Sequence, residues 1–162
     1  MVSRRLSRES GHRRKFLAIV DDTPECERAI TYAARRAQTT GGLLVLLFVI
    51  VPEGFGEWMG VGDIMRQEAL AAANLALDAA QARLSADGGV ESERVIREGK
   101  PAEAILELIE DDQDIAIMVL AASTAKDGPG PLVASIGRGA AFPIPVTIVP
   151  QTLTDEDIAA IT

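Results

Sequence analysis

Two places along this chain hold side chains that can do chemistry together. Asp21 and Asp22 end a short apolar run, Phe16-Leu17-Ala18-Ile19-Val20. Ser123, Thr124 and Lys126 follow a second run, Ile115-Ala116-Ile117-Met118-Val119-Leu120, and Ser135 lies a little beyond. A buried strand, a small-residue loop, a short helix ending near Ala141 and another buried strand, Val146-Thr147-Ile148-Val149, form one half of a nucleotide-binding α/β unit. In such a unit the loop from Ala121 to Pro131 is where a phosphate sits. A phosphate cradle favours Gly, which lacks a side chain and lets backbone N–H groups approach an anion. Here the loop is mostly Ala, Ser, Thr and Pro, and Pro129 and Pro131 have no N–H to donate.

Other chemistries find little support. The single histidine, His12, lies in a basic leader, so a His-based triad or a multi-His metal site is excluded. Gly99-Lys100 lacks the upstream glycine of a G-x4-G-K-[ST] loop and runs into Pro101. The pairs Asp21-Asp22 and Asp111-Asp112 can hold Mg²⁺ weakly, although adjacent carboxylates at turns are more simply read as solvated. Cys26, near a helix start, has two readings: a thiol with a lowered pKa, or an ordinary buried cysteine. Trp58 and Met59, in a glycine-rich stretch, read as a lid or partner contact, or as a loop anchor packed on its own domain.

The elements that position these groups follow from periodicity. After Phe16–Val20, Asp22 or Thr23 can cap a helix whose first turn takes Pro24 and Glu25. Ala29, Ile30, Ala33 and Ala34 recur at helical spacing, and Thr39-Thr40-Gly41-Gly42 stops that helix. Leu43 to Val51 is nearly unbroken Leu, Val, Ile and Phe, as in a strand buried on both faces of a parallel sheet. Asp63 can cap a long Ala-rich helix from about Ile64 to Ala86, ended by Asp87-Gly88-Gly89. Val90 to Glu98 reads as a more exposed strand, with Val95 and Ile96 its inward residues. Gly99-Lys100-Pro101 opens a helix with Ala104, Ile105, Leu108 and Ile109 inside. Thr154-Asp155-Glu156-Asp157 reads as a capped acidic helical turn on a tail. Strands alternating with helices predict an α/β fold, a five-stranded parallel sheet with helices on both faces.

Composition sets the bounds. A chain of 162 residues fits one domain, and with 48% apolar but only 4% aromatic residues its core must be aliphatic. One cysteine excludes an internal disulfide framework and fits a reducing, cytoplasmic setting. No apolar run reaches the roughly 18 residues that span a bilayer, and no secretory signal follows the basic start, so no membrane partner is expected. Arg4, Arg5, Arg8, Arg13, Arg14 and Lys15 face only Glu9 in the first 15 residues, although the whole chain carries −8. The body is therefore strongly acidic, which argues against a nucleic-acid partner. The expected organisation is a disordered basic leader over 1–14, one domain over 15–150 and an acidic tail over 151–162.

With these residues in place, the chain resembles the universal stress protein family over about residues 14–150. The resemblance rests on Asp21 and the helix carrying Glu27-Arg28-Ala29, on Leu46-Leu47-Phe48-Val49, on Gly99-Lys100-Pro101-Ala102-Glu103-Ala104-Ile105 with the strand after it, and on Pro143-Ile144-Pro145-Val146-Thr147-Ile148-Val149. It implies strand order 3-2-1-4-5. The connections then reverse direction between strands 1 and 4, where open α/β sheets bind ligands. It further implies that Asp21 matches an acidic contact to a nucleoside and that Val49 matches a position whose backbone meets adenine. ATP-binding members carry G-x2-G-x9-G-[ST]. Anchored on Ser135, that pattern puts Ala121, Thr124 and Ala134 at the three glycine positions, so none of those glycines is kept. The stretch from Ser135 to Pro143 is about two residues shorter than the pattern. It carries Gly137 and Gly139, each costing a helix interior roughly 1 kcal/mol. The resemblance also implies a homodimer through the edge strand Val146–Val149.

The competing reading of Asp21 is a helix cap, and that of Ser135 is a helix residue with no ligand. Three functions remain open. The favoured one is a non-catalytic stress-response module acting as a dimer through protein contacts, with nucleotide binding reduced or absent. The alternative is a sensor that binds ATP or AMP in the crevice between strands 1 and 4. The third, a slow nucleotide hydrolase, has no evident base beyond Asp21 and Asp22.

Overall fold

Apolar runs of five to eight residues, each followed by a helical period, build alternating strands and helices. The computed structural model describes residues 3–52, 61–86, 88–139 and 142–162. The strands are β1 (Lys15–Ile19), β2 (Leu43–Ile50), β3 (Ser92–Glu98), β4 (Ile115–Ala122) and β5 (Val146–Pro150). The helices are α1 (Cys26–Thr40), α2 (Val61–Ala86), α3 (Pro101–Asp111), α4 (Pro131–Gly137) and α5 (Asp155–Ile161). The strands form one parallel sheet in the order β3-β2-β1-β4-β5, as expected. The expectations attached to Trp58 and Met59 lie outside the described residues.

Strand alternation assigns the two faces of the sheet. Phe16, Ala18, Leu44, Leu46 and Val119 point to one side, where α1 and α2 cover them with Ala29, Ile30, Ala33, Leu77, Ala80 and Leu84. Leu17, Ile19, Val45, Leu47, Met118 and Leu120 point to the other, where α3 supplies Ile105, Leu108 and Ile109. Both faces of β2 are thus dry, which is why it reads as a continuous apolar run. The inner face expected for α3, Ala104, Ile105, Leu108 and Ile109, is the one it buries. Val95 and Ile96 of the edge strand β3 are only half-buried, one packed on each side of the sheet.

Several boundaries differ from the sequence reading. Helix α1 starts at Cys26, later than the Asp22 or Thr23 cap implied, and Glu25 takes the N-cap position without a side-chain bond. Gly41, in the left-handed region at φ 70°, ends it. Helix α2 begins at Val61, so Asp63 sits in its first turn rather than before it.

At both ends of the chain the structure shows contacts that the reading of a leader and a tail did not include. Residues 1–14 read as a disordered leader, yet residues 3–14 run along the domain beside the end of α3. Arg5 Nη1 donates to Ile109 O at 2.6 Å, and also to Asp112 O and Ile115 O, carbonyls at and beyond the helix C-terminus. Ser3 Oγ donates to Glu110 at 2.9 Å, Leu6 N–H to Gln113 O at 2.9 Å, and His12 Nδ1 lies 2.7 Å from Asp114 Oδ1. Guanidinium capping of free carbonyls is favourable at the negative end of a helix dipole. Residues 151–162 read as an acidic tail, yet α5 packs on α1 through Ile158, which is fully buried. The capped turn expected at its start is a capping box: Asp157 N–H donates to Thr154 Oγ1, and Thr154 N–H to Asp157 Oδ2.

Candidate functional site

Strand β1 ends in Ile19-Val20 and the chain turns at Asp21. Asp21 does not cap α1. Its Oδ1 accepts from Thr23 N–H at 2.9 Å and from the Thr23 hydroxyl, closing an Asx turn two residues long. That turn postpones the helix to Cys26. The Cys26 thiol, buried in the α1 face of the core, donates to the Asp21 carbonyl at 3.4 Å. Burial pushes this thiol up to about 11, which agrees with the reading of an ordinary buried cysteine and not with that of a lowered thiol pKa.

A crevice of about 90 Å³ opens between this turn, the end of β4 and the start of α4. Ile19, Asp21, Cys26, Ala121, Pro131 and Val133 are among its walls. It lies where the sheet order β2-β1-β4 reverses the direction of the connections, the expected switch point. Glu25, only 8% exposed, is also among its lining residues, so two acidic residues border the space. Among the described lining residues there is no Lys or Arg. A ligand pocket for a drug-sized molecule typically encloses roughly 300–1,000 Å³. The crevice that the described walls enclose is smaller than that.

The candidate residues from the sequence divide into two groups. Asp21 and Ala121 meet in the crevice wall. Val49, Thr124, Ala134 and Ser135 are not part of that wall. Val49 is half-buried in β2 and pairs with Arg97 of β3. Ala134 N–H donates to Gly130 O at 2.9 Å inside the first turn of α4. The Ser135 hydroxyl donates back to Leu132 O at 2.8 Å, a local bond that agrees with the helix reading of this residue. Thr124 is exposed, and both its N–H (3.0 Å) and its hydroxyl (3.2 Å) converge on Gln151 Oε1.

The loop between β4 and α4 spends several of its own donors. Ser123 N–H goes to Pro129 O at 3.0 Å, Ala125 N–H to Ser123 Oγ at 3.1 Å, and Gly128 N–H to Ala125 O at 2.8 Å. Gly128 is required by this inward fold, because a Cβ there would lie 2.4 Å from Ser123 O. Gly128 therefore serves a close approach of backbone to backbone. Helix α4 that follows is seven residues long, begins with Pro131 and has no side-chain cap.

The acidic pair Asp111-Asp112 is met by cations instead of a metal site: Arg97 reaches Asp111 at 3.0 Å and Lys15 reaches Asp112 at 2.7 Å. Burial alone would pull Lys15 down, but the Asp112 and Glu93 carboxylates outweigh it and hold it above its ordinary 10.5. Among the described residues no group of three or more His, Cys, Asp or Glu is arranged to hold a metal ion, and no helix is long and apolar enough to cross a membrane.

Sequence reasoning passed over Glu25 and Gln151. Glu25 looked like a first-turn helix residue, and its place beside the crevice follows from the Asx turn at Asp21. Gln151 lies 27 positions from Thr124 and carries no local signal of that contact.

Residues 12–150 match the model of the Universal stress protein family. No curated protein matches the chain. Among solved structures, the fold is similar to Universal stress protein UspA from Lactobacillus plantarum, at 20% identity and TM-score 0.69, over 84% of this chain and 97% of that one. It is similar to the universal stress protein from Archaeoglobus fulgidus in complex with dAMP, at 20% identity and TM-score 0.60, over 84% and 97%. It is also similar to a universal stress protein family protein from Arabidopsis thaliana with AMP bound, at 21% identity and TM-score 0.59, over 90% and 98%. At these identities the likeness is one of fold.

Proposed function

Because this chain belongs to the universal stress protein family, we propose that it is a non-catalytic stress-response module that acts as a homodimer through protein contacts, with nucleotide binding reduced or absent. One observation carries the reading. The N–H groups of Ser123, Thr124, Ala125 and Gly128 are bonded to acceptors within the chain, and Pro129 and Pro131 have none to give. A phosphate that approaches those four amides has to break these bonds first. Asp21 and Glu25 add repulsion from the crevice wall.

Dimerisation is supported by the unlike edges of the sheet. Strand β3 is fenced by charge, with Arg94 paired to Asp78 and Arg97 to Asp111. Such charges discourage further strand pairing. Strand β5 has no charged residue over Val146–Val149, and Ile148 is 42% exposed. A second copy pairing along Val146–Val149 covers it.

The alternative is an AMP- or ATP-binding sensor. It is favoured by the relatives crystallised with dAMP and AMP and by the crevice at the switch point. Calorimetry with ATP and AMP separates the two readings. The first expects no heat of binding up to millimolar nucleotide and no nucleotide released on heating freshly purified protein. Micromolar affinity, lost in Asp21→Ala, establishes the second.

A further inference from the structure

The family match ends at residue 150, and the next residue is the one that closes the loop. Gln151 continues from β5 and stays in register with β4 by donating its N–H to Ala122 O at 3.0 Å. Its side chain then turns toward the loop. Oε1 receives two donors from one residue, the N–H and the hydroxyl of Thr124. Two donors converging on one oxygen are the arrangement in which a backbone loop holds an anion oxygen. A neutral carboxamide oxygen occupies that position here.

The segment that carries Gln151 is fastened well beyond it. Leu153 packs against the core, and its carbonyl accepts from Arg28 Nη1 at 3.2 Å. Arg28 also pairs with Asp155 at 2.7 Å, and Ile158 of α5 is fully buried against the same side of the domain. Gln151 is thus held in place on both sides, by β5 before it and by the docked α5 after it.

We propose that residues 151–162 form an autoinhibitory strap, in which Gln151 occupies an anion position at Thr124 and its withdrawal opens the loop to a phosphorylated ligand. This rests on the reading of the loop between β4 and α4 as a weakened phosphate site, and names the residue that occupies its Thr124 donors. The carboxamide competes as an intramolecular ligand whose effective concentration is set by the short, anchored connection. A phosphate must therefore displace it, and a variant that shortens the side chain removes the competitor without touching the loop.

The test uses the full chain and its Gln151→Ala and Gln151→Glu variants. Hydrogen exchange at the Thr124 amide is followed by NMR, and ATP and inorganic phosphate are titrated by calorimetry. Gln151→Ala is expected to speed Thr124 exchange at least tenfold and to bring ATP binding from no detectable heat at millimolar nucleotide in the parent to a dissociation constant of about 0.1 mM or below. Gln151→Glu keeps the reach and replaces the neutral oxygen by a charged one, so Thr124 exchange slows and ATP binding weakens further. Unchanged Thr124 exchange in Gln151→Ala overturns the proposal. So does faster exchange with ATP binding still undetectable, or within twofold of the parent where the parent binds. Micromolar ATP binding by the parent refutes the reduced-binding function instead, and the strap is still judged by the ratio between variant and parent.

Discussion

Arg28 Nη1 of α1 lies 2.7 Å from Asp155 Oδ1 of α5, and this pair fastens the last helix of the chain onto the first. The pair is uneven: the guanidinium is mostly buried, and the carboxylate is open to water. The apolar anchor is Ile158, which is fully buried. Ile158→Ala should cost about 2–5 kcal/mol, as for other large-to-small core changes, read as a lower midpoint in urea. The Arg28 hydrogen bond holds Asp155 below its ordinary 3.8, and the Thr154 backbone N–H does the same for Asp157. A lowered carboxylate contributes stability above its ordinary value and loses it as pH falls through the folded one. Hydrogen exchange in α5 should therefore stay slow at pH 5 and accelerate below 3.8, ahead of global unfolding. Equal acceleration across α1 and α5 would contradict this.

Cys26 offers a second titration. Its thiol is buried and stands at about 11, so almost no thiolate exists at neutral pH. Thiol reagents at pH 8 should modify native protein at least a hundredfold more slowly than protein unfolded in guanidinium. The raised value favours the folded state below pH 9.0, the ordinary value, and that advantage fades as pH rises toward 11. Alkaline denaturation should therefore begin near pH 9 and be blunted in Cys26→Ala, by an amount on the order of 2 kcal/mol. Rapid labelling of the native protein would show that the thiol is reachable and ionised.

Much of the architecture was readable because it depends on patterns internal to each segment. The run Leu43–Ile50 has no polar face, so it can only be an interior strand. The spacing of Ala104, Ile105, Leu108 and Ile109 fixes which side of α3 is dry. The site was readable only where it sits at strand ends, as Asp21 and Ala121 do. What escaped depends on distant partners. Arg5 looked like one of several solvated leader arginines, because its acceptors, Ile109 O and Asp112 O, are more than 100 positions away. Thr124 looked like a free donor, because nothing near it in sequence announces Gln151. The start of α1 was misplaced for a local reason: the Thr23 N–H and hydroxyl take the Asp21 carboxylate that a cap would have used.

The Arg5 contacts yield a third prediction. Its guanidinium is mostly buried and serves three carbonyls at the end of α3 and the start of β4. Removing it leaves those acceptors without their charged donor. Hydrogen bonds to charged groups contribute roughly 1.5–3 kcal/mol, so Arg5→Ala should lower stability by about 2 kcal/mol. Arg4→Ala, whose side chain is 83% exposed and pairs with the half-exposed Glu9, should change it by less than about 0.5 kcal/mol. Parallel thermal melts of the two variants decide the matter, and equal shifts would return residues 3–14 to the status of a free leader.

The edge strand supplies the last prediction. Ile148 exposes 42% of its surface on β5, with no charged residue between Val146 and Val149 to repel a second strand. Light scattering during size exclusion should give about twice the 17.2 kDa chain mass for the parent. Ile148→Lys places an ammonium on that edge, where burial in a strand pair is costly, and should return the mass to one chain with unchanged circular dichroism. The opposite edge is the control. Arg97→Ala on β3 removes a charge that already has a partner in Asp111, so the dimer should persist. A parent that remains a single chain at high micromolar concentration, or a dimer indifferent to Ile148→Lys, would place the partner surface elsewhere.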